Sequence, residues 1–121
     1  MDSLLQISLL FDFYGELLTD KQKTIYRMYY DEDLSLSEIG EELQISRQAV
    51  RDQLKRTEKI LKEYEEKLNL VEKFVIHKES VAKIKKIVEN IENKFDVPHN
   101  MLNCIEDIKK IADDILCWQE G

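Results

Sequence analysis

Arg47, Gln48, Arg51, Asp52 and Lys55 fall within one short stretch at helical steps of three and four. Val50, Leu54, Thr57 and Leu61 repeat between them as an inward face, so the polar set points away from the protein. Arg and Gln near the start of such a helix have the geometry to pair with guanine and adenine edges in a major groove. Arg56 and Lys59, further along, are placed to meet phosphates. The same arrangement also serves a protein contact or a solvated charged face.

The elements that must hold these side chains are written into residues 34–61. Ser35 and Glu38 form a capping box, with the hydroxyl taking one free amide of the first turn and the carboxylate another. Leu34 precedes the cap as a hydrophobic staple. Ile39, Gly40 and Leu43 share one face of a short helix, and Gly40 lacks a side chain where two helices must cross closely. Gln44 and Ile45 form a turn. Ser46 then caps the second helix. This is the spacing of a helix-turn-helix whose second helix enters the major groove.

The charge of the whole chain opposes that reading, and its distribution supports it. The 121 residues carry a net charge of -7. Residues 1–45 hold ten acids against three bases, residues 46–68 hold five against seven, and residues 69–121 hold ten against eight. The bases gather on the second helix of the motif. A local patch of this kind can bind phosphates while long-range steering stays weak.

One Pro and three Gly in a chain rich in Glu, Lys, Leu and Ile predict an all-α protein. Residues 3–18 predict a first helix. Leu4, Ile7, Phe11, Tyr14 and Leu18 form its stripe, widened by Leu5, Leu9, Leu10, Phe13 and Leu17, so it should be buried on most sides. Thr19 and Gln22 form a second capping box, starting a helix at Asp20 with Ile25, Met28 and Tyr29 on one side. After Ser46 the apolar seam continues through Tyr64, Leu68 and Val71 at heptad spacing, which suits either packing within one chain or a dimer seam. Asn69 is the expected break. Residues 70–95 and 99–117 then predict an αα-hairpin. Phe74, Val81, Ile84, Val88, Ile91 and Phe95 face inward on one helix. Leu102, Ile105, Ile108, Ala112 and Ile115 do so on the other, and Trp118 covers its end. Pro98 suits the first helical turn. The expected division is a helix-turn-helix domain with an N-terminal helix over 1–68 and a helical hairpin over 69–121.

At this point the stretch LLTDKQKTIYRMYYDEDLSLSEIGEELQISRQAVRDQLKRTEKIL resembles region 4 of bacterial sigma factors, particularly the extracytoplasmic-function type. The resemblance implies contact with a promoter's −35 element and with RNA polymerase, and puts Ser46, Arg47, Gln48, Arg51, Asp52 and Lys55 at the groove-facing positions. Gln44 stands where such motifs usually carry Gly, and takes that turn with some strain. No region 2 is present, so promoter melting is not expected. Over its full length the chain resembles the YlxM-like family of low-G+C Gram-positive bacteria. The similarity runs from SLLFDFYGELLTDKQ through ISRQAVRDQLKR and KLNLVEKF to the C-terminal helices. Genes of that family typically lie beside those of the signal recognition particle, which implies a regulatory part in co-translational targeting.

Other chemistry is hard to place. There is no phosphate-binding glycine loop. His77 and His99 are isolated, and with Cys104 and Cys117 they fit no zinc-site spacing. Cys104 is expected as a small core residue, and Glu63, Glu65 and Glu66 as a solvated run. No nucleophile is paired with a base, so no enzyme, cofactor or metal is expected. No apolar run reaches the ~20 residues of a membrane span. With no basic segment ahead of the first apolar stretch, the cysteines are expected as reduced thiols of a cytoplasmic protein. The expected partners are DNA, signal recognition particle components or RNA polymerase, and a second copy in a homodimer. The alternative is a protein- or RNA-interaction module of the same pathway that uses the fold without reading DNA.

Overall fold

The computed structural model describes residues 4–117, and among them every regular element is helical. In chain order these are α1 (Leu4–Tyr14), a 3₁₀ turn (Gly15–Leu17), α2 (Asp20–Tyr30), α3 (Leu36–Leu43), α4 (Arg47–Leu68), α5 (Leu70–Lys94) and α6 (His99–Leu116). The chain divides into two compact units, Met1–Val71 and Glu72–Gly121.

The first unit has two apolar clusters, both built on α4. Ile25, Met28, Ile39, Val50 and Leu54 form one, with Leu34 and Leu36 packed against it. Leu34 therefore staples the entry to α3 against the cluster that holds Ile39. Leu10, Tyr14, Leu18, Leu61 and Val71 form the other, flanked by Tyr64. Within this chain, then, the seam beyond Leu54 is covered by α1. Leu68 departs from it and is exposed. Α-helical geometry ends there because Asn69 turns left-handed at φ 54°.

Several expectations need correction. The first helix stops at Tyr14 and tightens to 3₁₀ at Gly15, whose missing side chain leaves room for the Phe11 ring. It is not buried all round: Leu4, Leu5 and Leu17 are exposed, and Ile7, Leu10 and Tyr14 carry the contact. On α2 it is Tyr26 that is buried, stacked on Phe11 with ring centroids 3.9 Å apart, while Tyr29 is partly exposed. A helix of this length has one contact arc per neighbour, and the sequence pattern is wider than that arc.

In the second unit α5 and α6 run antiparallel, tied by ion pairs Lys85–Asp113 at 2.5 Å and Lys109–Glu92 at 2.9 Å. Val88, Ile105 and Ala112 are buried. Ile84, Ile91, Phe95, Leu102, Ile108 and Ile115, expected inward, are exposed. Two helices share one line of contact and cannot cover a stripe as wide as this. Cys104 is exposed rather than in the core, as is Cys117. Pro98 lies just ahead of α6 at its N-cap, with extended ψ of 143°, and not inside the first turn. Trp118 lies outside the described residues.

Among the described residues, no helix is long and apolar enough to cross a membrane.

Candidate nucleic-acid interface

The motif that presents α4 is fixed by local chemistry. Ser35 Oγ accepts from the Glu38 amide and Glu38 Oε1 accepts from the Ser35 amide, both at 3.0 Å. That reciprocal bond holds the Glu38 carboxyl below its usual range. The Thr19–Gln22 box does the same for α2. At the other end of α3 the amides of Gln44 and Ile45 both reach the Gly40 carbonyl. This double bond requires Gln44 at φ 59°, ψ 43°, a left-handed conformation that an L side chain adopts at a cost.

Gly40 is the position the turn cannot change. A Cβ there would lie 2.7 Å from the Ile45 carbonyl oxygen and 3.5 Å from the Arg47 amide nitrogen. The backbone of the turn thus rests directly on α3. Ser46 Oγ then accepts from the Ala49 amide at 3.0 Å and starts α4.

On α4, Val50, Leu54, Thr57 and Leu61 are buried. Ser46, Arg47, Gln48, Arg51, Asp52, Lys55, Arg56 and Lys59 are all exposed. Arg47, Arg51, Lys55 and Lys59 recur every fourth residue and make one cationic ridge about 18 Å long. Among the described residues, none of these four cations nor Arg56 is held in an ion pair. Their charge is therefore open to an external anion.

Two polar members of the set are not independent. Gln48 Nε2 donates to Asp52 Oδ1 at 3.0 Å across one turn. The carboxylate orients the amide. The i,i+4 spacing of Gln and Asp carried that signal in the sequence.

Two residues that position α4 were not singled out by their spacing. Glu58 accepts a short hydrogen bond from Tyr30 and ties α4 to α2; burial first, and this bond second, raise the Tyr30 phenol above its ordinary value. Glu65 is half-buried rather than part of a solvated run. Its Oε1 accepts from Tyr14 at 2.5 Å and from the Val71 amide at 3.0 Å.

His77 and His99 are exposed. Among the described residues no group of His, Cys, Asp and Glu is placed to hold a metal ion.

Comparison with known proteins agrees with this geometry. Residues 1–101 match a family model described as "UPF0122: Putative helix-turn-helix protein, YlxM / p13 like". A UPF0122 protein of Bacillus cereus strain AH187 is 47% identical over 106 residues, covering 88% of this chain and 94% of the relative. UPF0122 proteins of Bacillus anthracis strain A0248 and Bacillus thuringiensis subsp. konkukian strain 97-27 are likewise 47% identical over the same shares.

Proposed function

Because this chain belongs to the UPF0122 family of YlxM/p13-like helix-turn-helix proteins, we propose that it is a DNA-binding regulatory protein that reads a major groove with α4. The observation that carries the proposal is the uncompensated ridge of Arg47, Arg51, Lys55 and Lys59 on the exposed face of the motif's second helix. In this reading Arg47, Gln48, Arg51, Asp52 and Lys55 face base edges beside the Ser46 cap, and Arg56 and Lys59 hold phosphates. On the same reading residues 1–68 form the reading domain, whose core Val71 completes, and residues 69–121 carry the helical hairpin. The family is a helix-turn-helix family rather than an enzyme family, and no catalytic role or cofactor enters the proposal.

The resemblance to YlxM-like proteins supports a cytoplasmic regulator in the signal recognition particle pathway. The likeness to sigma region 4 supports RNA polymerase as a partner to test beside the particle's components. A random-sequence selection with the full chain tests the central claim. Enrichment of a DNA site, lost with Arg47→Ala plus Arg51→Ala, is the expected result. Binding no better than that of an acidic control protein sinks it.

The net charge of -7 favours a second reading, an interaction module that uses the fold without reading DNA. It predicts a protein or RNA ligand. A protein partner would survive the Arg47/Arg51 change, and an RNA ligand would outcompete DNA for the same ridge.

A further inference from the structure

We infer that the C-terminal hairpin is a self-association surface, and that its occupant is the same hairpin of a second copy in a four-helix arrangement. The hairpin has two unlike flanks. One carries the ion pairs Lys85–Asp113, Lys109–Glu92 and Lys109–Glu106. Stepping 100° per residue from the buried Val88 and Ile105 places Ile84, Ile87 and Ile91 of α5 on the opposite flank, with Ile108, Ile111 and Ile115 of α6 on that same side. These six are between 39% and 59% exposed. No charged residue interrupts the face between Ile84 and Ile91 on α5 or between Ile108 and Ile115 on α6 at that helical phase.

The size of the face fits one occupant class. Six half-exposed side chains of this size present on the order of 500 Å² of apolar area. That equals the apolar part of a standard interface of ~800 Å² per partner. Such a face is covered without desolvating charge only by another charge-free face, and the chain itself offers one.

The borders of the face select the orientation. The outer edge of α5 carries Lys83 and Lys94, and the outer edge of α6 carries Asp107 and Asp114, all exposed. Among the described residues none of the four is ion-paired. A two-fold axis parallel to the helices lays α5 of each copy over α6 of the other. Because Lys85 stands level with Asp113 and Glu92 with Lys109, Lys83 then comes level with Asp114 of the second copy, and Lys94 with Asp107 of the second copy. An axis across the helices would instead bring lysine to lysine and aspartate to aspartate. The surface is thus self-complementary in polarity and charge, as an isologous contact requires.

Sedimentation equilibrium of the full chain, from low to high micromolar concentration, tests this. The expected mass is twice the 14.4 kDa of one chain. Ile87→Glu plus Ile111→Glu, at positions already exposed, should raise the dissociation constant roughly tenfold or more with unchanged helical circular dichroism. Lys83→Glu plus Lys94→Glu should weaken the dimer several-fold, and adding Asp107→Lys plus Asp114→Lys should restore it. A wild-type chain that stays monomeric overturns the inference, as does a dimer indifferent to the isoleucine changes. A dimer that the lysine reversal weakens and the fourfold reversal fails to restore overturns the orientation. DNA binding is not needed for any of these outcomes, so the proposed function stands or falls separately.

Discussion

Tyr14 and Glu65 lie 51 residues apart and are joined by a 2.5 Å hydrogen bond from phenol to carboxylate. The same phenol oxygen accepts from the Leu70 amide at 3.2 Å, and the same carboxylate oxygen accepts from the Val71 amide at 3.0 Å. Two side chains from α1 and α4 therefore satisfy two free amides at the start of α5, directly after the left-handed Asn69. Tyr14 is 1% exposed, and burial first, then the bond to Glu65, raises its phenol above the ordinary value. Tyr14→Phe should destabilise the chain by about 2 kcal/mol, the range of a buried bond to a charged group. Glu65→Ala should cost a similar amount. A double mutant well short of the sum, in urea unfolding, would confirm that the two act as one joint.

The turn makes opposite predictions at two neighbouring positions. Gln44→Gly removes a left-handed L residue and should stabilise the chain by about 1 kcal/mol. Gly40→Ala forces a methyl to within 2.7 Å of the Ile45 carbonyl oxygen and should destabilise by about 2 kcal/mol or more. Thermal unfolding of the two variants reads both signs. Equal effects of one sign would contradict this geometry.

Tyr26 gives a pH dependence. Its phenol is pushed up to about 12 by burial first, then by the carboxylates of Asp31, Asp12 and Glu58, against an ordinary value of 10.0. A folded-state value above the unfolded one contributes stability that is complete below pH 10 and lost as pH rises through about 12. Tyr14 and Tyr30 shift in the same direction. The urea midpoint should hold up to about pH 10 and fall between 10 and 12, and Tyr26→Phe should fall less over the same interval. A midpoint that Tyr26→Phe leaves equally steep would refute the assignment.

On the proposed reading face, stability and binding should separate. Arg47→Ala plus Arg51→Ala should change unfolding free energy by no more than about 0.5 kcal/mol, since both are exposed and unpaired. The same change should abolish selection of a DNA site. Arg56→Ala should weaken binding equally to all sequences and lower the salt slope by roughly one. Asp52→Ala frees Gln48 and removes a negative charge, so it should tighten binding overall and blur sequence preference. Filter binding over a salt series distinguishes the three patterns.

The helix-turn-helix was legible in the sequence because every device that builds it is local. Ser35 with Glu38, Thr19 with Gln22, Ser46 with Ala49, and Gln44 at the turn all act within five residues. Glu65 was not legible. It sits in a run of glutamates, and only the fold brings Tyr14 to it. Periodicity also overstated burial in α5 and α6. A period of 3.5 marks Ile84, Ile91, Ile108 and Ile115 as facing something, and it does not say whether that something is in the same chain. Cys104 followed the same error, since its place on the wheel is the exposed apolar flank.

The ridge on α4 is embedded in a unit whose first 45 residues carry ten carboxylates against three bases. A polyanion meeting this unit exerts a torque before it exerts a net pull. In the proposed reading, approaches led by α3, with Glu38, Glu41 and Glu42, or by Asp31, Glu32 and Asp33 ahead of it are turned away, and the attraction of the ridge is felt only within about one Debye length, ~8 Å at physiological salt. For the proposed contact, capture is then governed by the angle of approach rather than by distance. In that reading the carboxylates act as a vane that turns α4 toward a nucleic acid.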